Sequence, residues 1–222
     1  MTEHRGADLF VGVTAWNSET LLSACLDSVR RTVPEAEVVV LDNGSEDGTR
    51  EVAARLAVRT VVRRCSQGDA LDELVRRSTR PLTLLAHADV ILLSPDWLET
   101  TKAALHRDGS ILVSPEDVGC GPFTRREHGR GMPESSFLLF QTASLPRLRI
   151  RRWHRRWRIP YFRRRVDFFG EHVTYNLPGR MEAAGLRWSP MEVYPSPREE
   201  HPLYSSSFPA KHWSADLGHL RY

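Results

Sequence analysis

Apolar runs and polar breaks alternate in regular order through the first half of the chain. Asp8 to Ala15 (Asp-Leu-Phe-Val-Gly-Val-Thr-Ala) reads as a buried strand that ends at Trp16-Asn17-Ser18. Leu21, Leu22, Cys25, Leu26 and Val29 then recur at helical spacing, so a helix with one apolar face follows. Asn17 or Ser18 is placed to cap it and Pro34 to close it. Val38-Val-Val-Leu41 is a second apolar strand, stopped abruptly at Asp42. The turn formers Asn43, Gly44, Ser45, Glu46, Asp47 and Gly48 come next, then a helical pattern through Val52, Ala53 and Leu56.

The alternation continues. Val58 to Val62 is a third strand, and Gln67 to Ser78 is a helix with Ala70, Leu71, Leu74 and Val75 inward. Pro81 to Ala86 is a fourth strand, running into His87-Ala88-Asp89. Ser94 and Pro95 read as the cap and first residue of the next helix, and Ile111 to Val113 as a fifth strand. Strands alternating with helices predict an α/β fold with a mostly parallel sheet flanked by helices.

The pattern changes after Pro115. Residues 116–133 read as a long loop and Ser136 to Phe140 as a strand. Glu171 to Ala184 is partly helical, with Pro178-Gly179 interrupting it, and Trp188 to Tyr194 is a last strand. The Pro-, Ser- and His-rich tail from Pro195 is expected to wrap the surface. We divide the chain into residues 1–115, a ligand-binding half, and residues 116–222, a second half within the same compact domain.

Charge adds one feature. The net charge of +3 is uneven: residues 147–165 hold ten arginines and no acid, leaving 21 basic residues against 28 acids elsewhere. Ile150, Trp153 and Trp157 form an apolar stripe in that segment, with Tyr161 continuing it beyond Pro160. It reads as an amphipathic helix for an anionic membrane surface, or as a substrate-binding or homodimer surface. The plainer alternative is tryptophans docked on the core with arginines snorkelling around them. The acidic remainder argues against nucleic acid. No run of about 18 apolar residues exists, which predicts no membrane span. The polar first residues lack a signal-peptide core, and Cys25, Cys65 and Cys120 are scattered, so a cytoplasmic protein is expected, at most peripheral to the membrane.

Candidate chemistry sits at three strand ends: Trp16-Asn17, Asp42-Asn43 and His87-Ala88-Asp89. Adjacent parallel strands gather such ends into one crevice, where open α/β sheets bind ligands. No Gly-x-Gly-x-x-Gly follows the first strand, and Gly44 to Thr49 lacks a phosphate-loop lysine. A carboxylate at position 42 can accept from a base N–H or a ribose hydroxyl, and an indole can stack on a base. His87 and Asp89, two apart on extended chain, would point the same way and share one cation. A divalent metal between Asp89 and a diphosphate would neutralise leaving-group charge. The plainer alternatives are a capped turn for Asp42, a core aromatic for Trp16 and a satisfied strand-end histidine for His87.

The order Val13-Thr-Ala-Trp-Asn17, Leu26-Asp-Ser-Val29, Val39 to Thr49, and His87-Ala-Asp89 ahead of Pro95 resembles family 2 glycosyltransferases of the GT-A fold. The resemblance implies sugar transfer from a nucleotide-sugar donor (UDP-, dTDP- or GDP-linked) to a hydroxyl acceptor, with inversion and a divalent cation, Mn2+ or Mg2+. It places Thr14, Ala15, Trp16 and Asn17 at the base, Asp42 at base or ribose, and Asn43, Ser45 and Ala88 beside them. Gly68 falls in the family's donor-loop segment, and His87-Ala88-Asp89 falls on its Asp-x-Asp metal motif with His for the first Asp. Asp167-Phe-Phe-Gly-Glu-His-Val, continuing to Arg180 and Gly185, resembles the acceptor-site motif. It implies Glu171 as the base, with Asp167 and His172 as substitutes, and His201 as a late metal or diphosphate ligand. The acceptor is open: glycan, lipid-linked or small molecule. An inactive module that only binds sugar nucleotides is the competing expectation, and a nucleotidyltransferase is the next.

Overall fold

A computed structural model of the protein describes residues 5–92, 94–106, 109–117, 132–144, 174, 177–191 and 220–221. Nine segments in chain order build the first half: β1 (Leu9–Ala15), α1 (Glu19–Thr32), β2 (Glu37–Asp42), α2 (Thr49–Arg55), β3 (Arg59–Val62), α3 (Gln67–Arg77), β4 (Leu82–His87), β5 (Val90–Ile91) and α4 (Trp97–His106). The rest comprises β6 (Ser110–Asp117), β7 (Met132–Pro133), β8 (Phe137–Gln141), α5 (Leu177–Ala183), β9 (Arg187–Met191) and β10 (Leu220–Arg221).

The main sheet runs β3-β2-β1-β4-β8-β6-β7, with β9 also paired to β6. β1 pairs parallel with β2 and β4, and β3 with β2. β8 enters antiparallel between β4 and β6. The mostly parallel sheet that the sequence predicts is therefore present, with β8 and β7 as its antiparallel members. A two-residue pairing of β10 with β5 brings chain position 220 alongside Val90.

Alternation along the strands makes two cores. Leu9, Val11, Val13, Val40 and Leu84 face α1, α2 and α4, where Leu22, Leu26, Val29, Val52 and Trp97 lie buried. Phe10, Val39, Leu41 and Leu85 face α3 and α5, through Leu71, Leu74, Leu177 and Met181. Trp97 meets Phe137 edge-on at 5.9 Å between ring centroids and donates its indole N–H to Thr32 Oγ1 at 2.9 Å. With β1 enclosed between both layers, its carboxyl end is held firmly in place.

Several boundaries differ from the sequence reading. α4 starts at Trp97, after Ser94 and Pro95, because Ser94 turns back onto the Asp96 side chain. Pro178 does not interrupt a helix. It is the second residue of α5, in the first turn, where proline has no intrahelical N–H to lose. Ser18 occupies the cap position of α1, but its hydroxyl makes no cap bond there. Strand β6 reaches Asp117, into the segment read as loop.

Candidate functional site

Three polar turns meet at the carboxyl edge of β1, β2 and β4, joined by backbone bonds. The Asn43 N–H donates to Ala15 O at 2.8 Å and the Ala88 N–H to Thr14 O at 3.0 Å. Thr14, Ala15, Trp16, Asn17, Asp42, Asn43, Ser45, His87, Ala88 and Asp89 are thereby brought to one edge, as the sequence predicted.

Asp42 is fully buried. Its Oδ1 accepts the Ser45 N–H at 3.0 Å, which is the turn-capping role. Its Oδ2 takes no hydrogen bond among the described residues, and the Arg50 Nε lies 3.6 Å away. Arg50 also donates to Ser45 O at 3.1 Å. One carboxylate oxygen thus holds the turn, and the other is left for a further donor. A buried carboxylate oxygen without a hydrogen bond is costly unless something supplies one.

Trp16 is 65% exposed, which excludes the core-aromatic alternative. The Ser18 hydroxyl fixes its backbone, accepting from Trp16 N at 3.2 Å and donating to Trp16 O at 3.1 Å. Asn17 has φ of 48°. Asparagine tolerates that left-handed conformation better than most residues. Gly44, at φ 78°, makes the corresponding reversal after β2. The Asn43 side chain accepts the Cys65 N–H at 2.7 Å, joining the second turn to the lead-in of α3.

The third strand end departs from the extended-chain expectation. β4 stops at His87, and Ala88 and Asp89 form a turn before β5. His87 and Asp89 therefore do not sit two apart on one strand face, because the chain turns to start β5. They remain electrostatic neighbours. Burial holds the His87 imidazole below its usual value while the Asp89 charge pulls it upward; the net direction is down, so the ring is neutral at pH 7. The Gln67 amide N–H donates to His87 Nε2 at 2.6 Å, since an amide nitrogen cannot accept. The Asp89 Oδ1 is buried and takes no hydrogen bond among the described residues. Cys25 lies under this turn, its thiol 3.8 Å from His87 O and pushed up by burial and by Asp89. A structural thiol is the consequence.

Gly68 lies buried in the first turn of α3, which Ser66 caps by accepting the Asp69 N–H at 3.2 Å. Asp167, Glu171, His172, His201 and the arginine-rich segment 147–165 lie outside the described residues. Gln67, Arg50, Glu19 and Asp47 were missed by sequence reasoning. Asp47 and Glu19 had a signal, an acid in or beside a turn, but their partners lie about 30 positions away.

A family model described as glycosyl transferase family 2 matches residues 10–180. The chain belongs to that family. The match runs through all three strand ends of this family 2 chain. No curated protein matches the sequence. Among solved structures, a mannosyltransferase from Pyrobaculum calidifontis in complex with GDP-Man and Mn2+ aligns with a TM-score of 0.51 at 22% identity. It covers 66% of this chain and 47% of its own. Glucosyl-3-phosphoglycerate synthase from Mycobacterium tuberculosis, in complex with phosphoglyceric acid, aligns with a TM-score of 0.53 at 23% identity, covering 65% and 59%. The same enzyme with Mn2+, UDP-glucose and phosphoglyceric acid aligns with a TM-score of 0.52. The likeness shows the fold, the GT-A architecture, and the family 2 chain spans only 47% to 59% of these proteins' length. No helix among the described residues is long and apolar enough to cross a membrane.

Proposed function

We propose that the protein is a glycosyltransferase that moves a sugar from a nucleotide-sugar donor to a hydroxyl acceptor with inversion. The observation that carries the proposal is the convergence of Trp16, Asp42 and Asp89 at one sheet edge, with a carboxylate oxygen of each acid free of hydrogen bonds among the described residues. Exposed Trp16 offers a face to the base. Asp42 Oδ2 accepts from a base N–H or ribose hydroxyl, with Asn43 and Ser45 shaping the turn around it. The structural neighbours complexed with GDP-Man or UDP-glucose support the donor class.

A divalent cation suits the third strand end. Asp89 Oδ1 is a hard oxygen donor with no hydrogen bond among the described residues, and a neutral imidazole such as His87 is a competent ligand. Asp89 would hold the ion, with His87 beside it, and His201 from the tail is the remaining candidate. When bound, the ion offsets negative charge on the departing nucleoside diphosphate. Mn2+ in the neighbours supports this choice.

Glu171 takes the proton from the acceptor hydroxyl as its oxygen attacks the anomeric carbon from the side opposite the diphosphate. Asp167 and His172 are its alternates. Acceptor choice falls to the second half, where residues 147–165 would bind an anionic partner, such as a lipid-linked acceptor at a membrane surface, or a second copy of the chain.

The test is release of nucleoside diphosphate from UDP-glucose, GDP-mannose and dTDP-glucose, with Mn2+ and a panel of hydroxyl acceptors. One donor should be consumed in an acceptor-stimulated way, with the product's anomeric configuration inverted. Nucleotide binding without turnover of any donor would favour a sugar-nucleotide-binding module instead.

A further inference from the structure

We infer that Glu19 and Asp47 are positioning residues for the nucleotide: they latch the turn after β1 to the turn after β2 and so set Trp16 relative to Asp42. The inference rests on the proposed nucleotide site.

The two turns exchange hydrogen bonds in both directions. The Asn17 N–H donates to Ser45 Oγ at 2.9 Å, and Asn17 Oδ1 accepts the Glu46 N–H at 2.9 Å. The Ser18 N–H donates to Thr49 Oγ1 at 2.7 Å. Asp47 Oδ2 accepts the Glu19 N–H at 3.1 Å, while Glu19 Oε2 accepts the Gly48 N–H at 3.2 Å. Asp47 Oδ1 takes the Thr49 N–H at 3.0 Å and its hydroxyl as well. Burial pushes the Asp47 carboxyl up, but these bonds outweigh it and hold it below the usual carboxylate range.

Each helix is thus capped by the other turn's acid. Glu19 is the first residue of α1 and binds the amide at the cap position of α2, and Asp47 binds the first amide of α1. A local cap was at hand in Ser18, yet its hydroxyl makes no cap bond and holds the Trp16 backbone instead. The exchange therefore joins the segment carrying the stacking indole to the segment carrying the buried acid. The Asn17–Ser45, Asn17–Glu46 and Ser18–Thr49 bonds tie the inner part of the two turns, and the Glu19–Asp47 exchange closes their outer end, where Trp16, Glu19 and Glu46 are exposed. Below the turns, β1 and β2 are already paired over six residues, so the fold does not depend on the latch. What the latch adds is preorganisation, which raises affinity by lowering the ordering cost of binding.

Gly48 supplies an independent handle. A Cβ there would lie 2.5 Å from Glu19 Oε1 and 2.6 Å from Glu19 Cδ, so the carboxylate must swing away. The backbone at Gly48, φ −73° and ψ 13°, accommodates alanine without strain. Gly48→Ala opens the latch without removing a charge.

The test is calorimetric binding of UDP, GDP, dTDP and CDP with Mn2+, well below the melting temperature of every variant, with the ligand-free Tm recorded in parallel. Glu19→Ala and Gly48→Ala should each weaken the nucleotide that wild type binds by about tenfold. Glu19→Gln, whose amide oxygen still accepts from Gly48, should stay within about twofold of wild type. Wild-type affinity in both latch-opening variants, with only Tm lowered, would reduce the latch to a structural clasp and overturn the inference. Equal losses in Glu19→Gln and Glu19→Ala would overturn it too, by showing that charge rather than the bond matters. If wild type binds none of the four nucleotides, the nucleotide-site reading itself fails, a result distinct from wild-type binding with indifferent variants.

Discussion

Asp89→Ala should cut nucleoside diphosphate release from the donor by about 100-fold or more while leaving the ligand-free protein as stable as wild type, or more so. The two halves of that expectation come from one atom. Asp89 Oδ1 is buried without a hydrogen bond among the described residues, and the Asp89 charge also opposes ionisation of Cys25 beneath it. Such a carboxylate is a burden on the ligand-free fold, so alanine relieves it. In the proposed reaction the same carboxylate holds the cation that offsets leaving-group charge, and alanine removes it. Diphosphate release and thermal melting, measured on the same preparation, check both. A residue kept only for the fold would show the reverse: lowered Tm with turnover retained.

Asp42→Asn should raise the nucleotide Kd about 10- to 100-fold, or about 1.4 to 2.7 kcal/mol. The amide keeps an oxygen for the Ser45 N–H, so the turn persists. It places an NH2 where Oδ2 stood, removing the acceptor of the proposed nucleotide site and the charge opposite Arg50. That loss should cost on the order of 1 kcal/mol of stability, since Arg50 is half in solvent and readily hydrated. Asp42→Ala should destabilise more, because the buried Ser45 N–H then loses its acceptor. Calorimetry with the preferred nucleoside diphosphate, paired with melting curves, separates the two effects.

The first half of the fold was legible in the sequence for a physical reason. Strands β1 and β2 are short, largely buried apolar runs, each ended by turn-forming residues, so Val38 to Gly48 announced strand, acid and turn together. The same signal was blind to direction. Phe137-Leu-Leu-Phe140 is apolar throughout, as a strand with two covered faces must be, and nothing in that run records that it lies antiparallel to β4. Pro178 misled because proline marks a break inside a helix but a start in its first turn.

Residues that stand at a strand end were legible as such: Trp16, Asp42 and Asp89. Residues whose role depends on a distant partner were not. Gln67 reaches His87 across 20 positions, and Glu19 reaches Gly48 across 29. Local spacing carries no trace of either pair. The turn at Ala88-Asp89 was misread as extended chain because β5 resumes one residue later, leaving no glycine or proline to mark the corner.

The central claim is a nucleoside-diphosphate and cation site made by Trp16, Asp42 and Asp89. A calorimetric titration of the wild-type protein with UDP, GDP, dTDP and CDP, each with and without Mn2+, tests it most directly. The account predicts saturable binding of at least one of them, about tenfold or more tighter when Mn2+ is present. Binding that ignores Mn2+ would contradict the role given to Asp89, and no binding of any of the four would contradict the site itself.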